Sequence, residues 1–339
     1  MYGWFRLVLS CCLSREYSGI IGLDKADCTG LLSMLSYTRV RLIMDLLTLQ
    51  PAATFSHRRL TELLNQAYVD YIIPVQFDAF QLAMMCDDMD VDLARSIVAV
   101  VEDGPADAPV GMALLSVRGS EGWVSAVGVS PAWRRRGAGR AILQRIQRDA
   151  RGAGLDVLRL EVLEQNQAGV GLYRSLGFSI TRDLLVLKRP PGFDHPEPLR
   201  RLDLRLVRPQ KLLMSYAEFH DVDPSWQRRL RSLQKRASRI QGQALFHDGH
   251  LAGYVLFQTQ TEVILVLDLA VDPEVPDRVG TARRLLFSLH AESPALGGYI
   301  INVPAEDPLL SAFTGLGYRV WQCQHEMVWS ITPLPDDGA

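Results

Sequence analysis

Arg134-Arg135-Arg136-Gly137-Ala138-Gly139-Arg140 is the stretch on which the reading of this chain turns. It follows an apolar run, Val124-Ser125-Ala126-Val127-Gly128-Val129, and a Ser130-Pro131 turn. The run predicts a strand. Behind the glycines a helix is predicted from Gly139 to about Ala150, with Ile142, Ile146 and Ala150 on its buried side. Gly152-Ala153-Gly154 ends it. Glycines at a strand-to-helix turn let a phosphate come close to the backbone, and the first helical N–H groups have no partner inside the helix. The helix dipole adds partial positive charge, and the arginines in front add more. The stretch therefore predicts a site for a phosphorylated ligand.

Working outward, residues 45–49 read as a strand and Ser56 as the N-cap of a helix with Leu60, Leu63, Leu64 and Ala67 at helical spacing. Pro74 breaks the segment 68–77, and a second amphipathic stretch holds Phe80, Leu82, Met84 and Met85. Strands are predicted at 96–101 and 110–117, joined by a turn at 103–109. Residues 157–163 alternate, with Leu158, Leu160 and Val162 on one face and Arg159, Glu161 and Leu163 on the other. A short helix at 167–176 stops at Gly177, and a strand at 184–188 closes the unit.

Residues 191–200 form a linker by composition, Pro191-Gly192 and His195-Pro196-Glu197-Pro198 among them. After the linker the pattern starts again. A strand at 202–207 matches the first one, and a hairpin at 245–257 matches 98–115. The run ending Val271-Asp272-Pro273 matches Val129-Ser130-Pro131. Gly280-Thr281-Ala282-Arg283 falls where Gly137-Ala138-Gly139-Arg140 did, and Leu316-Gly317-Tyr318 where Leu176-Gly177-Phe178 did. The expected organisation is an extension at 1–43, a domain at 44–190, the linker, and a second domain at 201–334. The fold class is α/β of mixed topology: two tandem domains, each a mixed, mostly antiparallel twisted sheet flanked by helices.

The chain has 339 residues, enough for two domains, with 48% hydrophobic and 22% charged residues. A net charge of −2 argues against a general polyanion binder, so no nucleic-acid partner is expected. The basic cluster 228–239 reads as the solvated face of a helix. Five cysteines in no zinc-like spacing point to a reduced, cytoplasmic setting without a metal. No apolar run has the length of a spanning helix, and residues 1–14 are a poor signal peptide. No membrane partner is expected, and the oligomeric state is left open.

These residues resemble the GNAT acetyltransferase superfamily. Its cofactor loop reads Gln/Arg-x-x-Gly-x-Gly/Ala, which Arg134 to Gly139 fits throughout. Leu160-Glu161-Val162, Asn166, Tyr173 and Leu176-Gly177-Phe178 follow at the family's spacing. The resemblance implies acetyl-CoA as co-substrate. It implies that the backbone of Val127 and Val129 would bind the pantetheine arm as an added strand. Arg134, Arg135, Arg136, Gly137, Ala138, Gly139 and Arg140 would cradle the pyrophosphate, and Asn166 would contact the arm. Tyr173 would protonate the departing thiolate. Glu161 is the first candidate for the base that deprotonates the amine, with Asp70 or a water chain as the alternative.

The second half departs from this pattern. Phe313 stands at the position of Tyr173, Glu306 at that of Asn166, and Ala282 at that of the second glycine. The resemblance thus implies an intact first copy and a degenerate second copy that packs against it and shapes the acceptor channel. In tandem members resembling mycothiol synthase the competent copy is the C-terminal one, which speaks against that assignment. The acceptor is expected to be a primary amine of a small molecule or peptide. Asp70, Asp87, Asp88, Asp90 and Asp92 would form an acidic rim for a cationic amine, or would merely cap and solvate helices. The rival readings are a non-catalytic acyl-CoA-binding regulatory module and a protein binding some other phosphate ligand.

Overall fold

Alternating apolar residues at 97–101 and 110–115 place Ile97, Ala99, Ala113 and Leu115 in one buried cluster and Val98, Val100, Met112 and Leu114 in another. That two-sided burial sets the architecture: a sheet with helices on both faces. The computed structural model describes residues 47–101, 108–192 and 202–331. The expected 1–43 extension, most of the 103–109 turn and most of the linker lie outside the described residues.

The strands of the first half are Leu47–Pro51 (β1), Ile97–Val101 (β2), Pro109–Arg118 (β3), Glu121–Val129 (β4), Val157–Leu163 (β5) and Ser179–Arg189 (β6). Its helices are His57–Ala67 (α1), Ala79–Asp88 (α2), Ala138–Gly152 (α3) and Gln167–Ser175 (α4). Ser56 caps α1 as predicted, accepting from the Arg59 amide at 3.2 Å. Helix α3 buries Ile142, Leu143 and Ile146 against Leu158 and Leu160. On the other face α1 and α2 bury Leu60, Leu64 and Leu82 against Met112 and Leu114.

The second half repeats the order with Asp203–Leu206 (β7), Gln241–His247 (β8), His250–Thr259 (β9), Val263–Val271 (β10), Gly297–Pro304 (β11) and Arg319–Ser330 (β12). Its helices are Pro209–Leu212 (α5), Tyr216–Phe219 (α6), Leu230–Arg236 (α7), Arg278–Ala291 (α8) and Leu310–Gly315 (α9). None of the described helices is long and apolar enough to cross a membrane.

One expectation needs correction: β6 does not close the first unit. The twelve strands among the described residues form one sheet in the order β1-β2-β3-β4-β5-β12-β6-β11-β10-β9-β8-β7. The last strand of each half is lodged against the other half. β12 pairs with β5 from Gln324↔Leu163 to Ser330↔Val157, and β6 pairs with β11. The two exchanged strands pair with each other in the middle. The exchange gives β5 and β11 a hydrogen-bonded neighbour each, where an unpaired edge would invite foreign strands. The mixed sheet with flanking helices stands, but the linker at 191–200 is not a boundary in the sheet.

Two parallel contacts interrupt the antiparallel order. β4 and β5 pair only from Glu121↔Val157 to Val124↔Leu160, and β10 and β11 only from Val263↔Gly297 to Val266↔Ile300. Beyond these pairs the strands part. Each half thus has a splayed opening, and a register break at Leu114/Leu115 sits beside the first.

The basic cluster 228–239 also differs from expectation. Arg231 and Lys235 hold Asp90 at 2.9 and 2.8 Å. Arg236 and Arg239 both reach Asp88, and Arg229 reaches Glu121. Arg228 is buried beside Asp268, at 3.4 Å. The cluster is a clasp between the halves. It draws Asp88 and Asp90 out of any acceptor rim.

Candidate functional site

The Arg/Gly turn folds as a row of open amides. Gly137 is the N-cap of α3 at φ 90°, a left-handed conformation that disfavours a side chain. Arg135 is also left-handed, at φ 61°. No amide from Arg135 to Arg140 donates to another group among the described residues; the next one, Ala141, bonds to the Gly137 carbonyl at 3.0 Å. Consecutive free N–H groups at a helix N-terminus form an anion cradle.

The arginines divide into two kinds. Arg135 and Arg136 are exposed, with Arg136 over the Trp133 ring at 5.1 Å, and Arg140 reaches the Ser175 hydroxyl at 2.6 Å. Arg134 departs from the expected role. Its guanidinium bonds Asp70 at 2.6 and 2.7 Å, the Ala67 carbonyl at 3.0 Å and the Val129 carbonyl at 3.1 Å. It ties the turn to the end of α1. The same bonds hold the Asp70 carboxyl below its ordinary range, which makes Asp70 a poor base.

The edge of the opening follows from ladder geometry. The Ser130 amide bonds to the Val110 carbonyl at 2.8 Å, so Ser130, Gly128 and Ala126 face β3. Alternation turns the N–H and C=O groups of Val127 and Val129 toward the opening. Both carbonyls are already engaged, Val127 by the Tyr68 hydroxyl at 3.0 Å and Val129 by Arg134. What the edge offers is its two N–H groups. Gly128 permits this arrangement, since a Cβ there would meet the Ala67 Cβ at 2.7 Å and Tyr68 at 3.0 Å.

Three tyrosines gather beside this edge. Tyr68 and Tyr71 pack edge to face at 4.9 Å. Tyr173 is buried in the first-half core, and its hydroxyl titrates in the field of the other two. Burial, then these neighbours, push Tyr173 far above the ordinary phenol range. Asn166 caps α4, accepting from the Gly169 amide at 3.0 Å. Tyr68 was not singled out from sequence, although its place one turn past the apolar face of α1 was visible.

Glu161 lies on the β5 face opposite α3, one residue past the last β4–β5 pair. Its Oε2 accepts from Gln227 Nε2 at 2.6 Å and from Asn302 Nδ2 at 2.8 Å. Its Oε1 is shielded and has no partner among the described residues. Burial is the main cause that raises the carboxyl to about 7, and neighbouring Glu326 adds to it. Gln227, Asn302 and Arg182 pull the other way. Both amides come from the second half, and neither was singled out from sequence.

The second half shows what each feature looks like when degraded. Arg278 bonds Asp221 and the Val271 carbonyl, repeating the tie of Arg134 to Asp70 and Val129. That alignment sets Phe219-His220-Asp221-Val222 against Tyr68-Val69-Asp70-Tyr71, and Phe313 stands for Tyr173. All three hydroxyls are gone. The Asp277 carboxylate caps α8 and accepts from the Gly280 amide at 2.9 Å, occupying the place of the anion. The unwelcome acid is therefore Asp277, a legible N-cap spacing three residues before Gly280. Glu306 is turned instead to Arg182 at 3.7 Å.

Residues 58–178 match the acetyltransferase (GNAT) family. Over 77 residues the chain is 44% identical to a mycothiol acetyltransferase from Nocardiopsis dassonvillei, a match that spans 23% of this chain and 23% of that protein. A GCN5-related N-acetyltransferase from Sphaerobacter thermophilus superposes with a TM-score of 0.65 at 17% identity, covering 86% of this chain and 98% of the other. The tandem GNAT protein from the clavulanic acid biosynthesis pathway superposes with a TM-score of 0.60 at 17% identity, covering 85% and 100%. At such identities the likeness to these structures is one of fold.

Proposed function

Because residues 58–178 belong to the GNAT acetyltransferase family, we propose that this chain is an N-acetyltransferase that moves an acetyl group from acetyl-CoA to a primary amine of a small molecule or peptide. One observation supports this above the others: the row of free amides from Arg135 to Arg140 follows β4, and the pairing of β4 with β5 ends at Val124↔Leu160, one residue before Glu161, a shielded carboxylate with one unpaired oxygen. Acetyl-CoA supplies an acyl group activated as a thioester. The amides from Arg135 to Arg140 suit its pyrophosphate, with Arg135 and Arg136 adding charge. The Val127 and Val129 N–H groups suit carbonyls of the arm and of the thioester.

Glu161 takes the proton of the attacking amine. With its carboxyl near 7, it is substantially ionised at neutral pH and still basic enough to accept one. Tyr173 stays protonated at that pH and donates to the departing sulfur. The proton balance closes, one taken from the amine and one given to the thiol. The short match to the mycothiol acetyltransferase does not narrow the acceptor beyond an amine.

The test is an amine-panel acetylation assay that detects released thiol, run beside Tyr173→Phe. A fall in kcat of about 10²–10⁴-fold is expected for the variant. Acetyl-CoA binding without turnover on any amine would instead establish the non-catalytic reading.

A further inference from the structure

Glu161 belongs to the first half, but the groups that fix it come from the second. Asn302 is 2% exposed and left-handed at φ 56°, a conformation asparagine tolerates better than most residues. It sits where the β11–β6 register breaks, between Ile300 and Val303. Its Oδ1 accepts from Gln324 Nε2 at 2.6 Å, which leaves its Nδ2 to donate to Glu161 at 2.8 Å. Gln227, on the 226–228 turn, donates to the same Oε2 at 2.6 Å. Two donors on one carboxylate oxygen fix the plane of the group and leave the other oxygen unpaired.

We propose that Gln227 and Asn302 are positioning residues for proton transfer in the first half: they hold Oε2 so that Oε1 faces the acceptor amine. This rests on the reading of Glu161 as the base. The degenerate copy is then a component of the active centre, beyond its role in packing. An isolated first half would have the carboxylate but not its alignment.

The surroundings determine how a test would read. Glu326 on β12 and Arg182 on β6 act on the Glu161 carboxyl, and Arg182 holds Glu326 at 2.9 Å. Arg159 on β5 is 3.7 Å from Glu326, and Glu306 is 3.7 Å from Arg182. On the turn of Gln227, Arg228 faces Asp268, while Arg229 faces Glu121 and Asp223. Neither Gln227→Met nor Asn302→Gly alters any of these charges. Each removes a donor that stabilises the ionised carboxylate, so the titration should move upward.

The experiment is kcat/KM against pH for the full chain, with acetyl-CoA and the best amine of the panel. The acid limb is expected near 7 in the parent. It should rise by about one pH unit in each variant, with an approximately ten-fold loss of rate below the midpoint. An unmoved limb in folded Gln227→Met protein overturns the proposal, and that variant keeps the test decisive if Asn302→Gly fails to fold. Glu161→Gln separates the two levels. If the limb persists in Glu161→Gln, Glu161 is not the base and the premise falls. If Glu161→Gln abolishes the limb while Gln227→Met leaves it in place, the base stands and the positioning role falls.

Discussion

Replacing Asp90 with asparagine should loosen the two halves without touching the acceptor. Asp90 accepts from Arg118 at 2.7 Å, Arg231 at 2.9 Å and Lys235 at 2.8 Å. Only the first pair is shielded on both sides, at 11% and 8% side-chain exposure. Arg231 is 62% exposed, so its share should be under about 1 kcal/mol. Removing one partner of a buried pair costs about 3–5 kcal/mol. Arg118 keeps bonds to the Ser232 hydroxyl at 2.7 Å and the Trp226 carbonyl at 3.3 Å, and it lies 4.3 Å over the Trp226 ring. Those contacts reduce the expected cost to about 2–3 kcal/mol. For a protein of this size that is a fall in Tm of about 3–4 °C.

Thermal unfolding followed by circular dichroism would measure it, with Arg231→Ala as the near-silent companion. The effect has a pH signature. Burial alone would raise the Asp90 carboxyl, but its hydrogen bonds from Arg231, Lys235 and Arg118 outweigh that and lower it well below the ordinary range. A depressed carboxylate stabilises the fold above its unfolded pKa of about 4, and that contribution is lost as pH falls toward the folded value. The gap between parent and Asp90→Asn should therefore be full at neutral pH and close in acid. An unchanged Tm together with a raised KM for the amine would refute this reasoning and restore Asp90 to an acceptor rim.

Gly137→Ala should cost about 1–2 kcal/mol, because φ 90° strains any side chain, and it should raise the KM for acetyl-CoA. Gly139→Ala should leave both nearly unchanged, since its Cβ would meet Leu172 at 3.4 Å and Val129 at 3.6 Å in ordinary contact. Asp277→Ala should lower stability by about 0.5–2 kcal/mol through loss of the α8 cap. Calorimetry on that variant should still find a single acetyl-CoA per chain; a second binding event would show that Asp277 alone had closed the second cradle.

Local chemistry was legible in the sequence and long-range pairing was not. The Ser56 cap, the alternation of β5 and the left-handed Gly137 follow from residues within a few positions of one another. The exchange of β6 and β12 does not. Both are mixed strands of polar and apolar residues, and side-chain pattern tells which face is buried without telling which neighbour is bonded. The same limit hid the clasp. Arg231 and Lys235 have no acids beside them in sequence, and their partners Asp90 and Asp87 lie in the other half. It also hid the tie of Arg134 to Asp70 and the amides on Glu161, which separated a cradle arginine from a structural one.

The comparison between halves sorts these residues by what persists. The tie survives in both copies, as Arg134–Asp70 and as Arg278–Asp221, so it belongs to the fold. The tyrosine hydroxyls survive only in the first copy, and in the second the Gly280 amide is taken by Asp277, so the fold does not require these groups to be free. Hydroxyls and open N–H groups that are partly buried cost stability unless they are used. In the second copy phenylalanine, valine and an aspartate cap remove that cost. In the first copy it is retained at Tyr173, at the 135–140 amides and at Glu161 Oε1. Polar groups left unpaired where a sister copy of the same fold does without them mark residues that a ligand would complete. The second copy, relieved of that cost, contributes two amides and a basic helix to hold the first in shape.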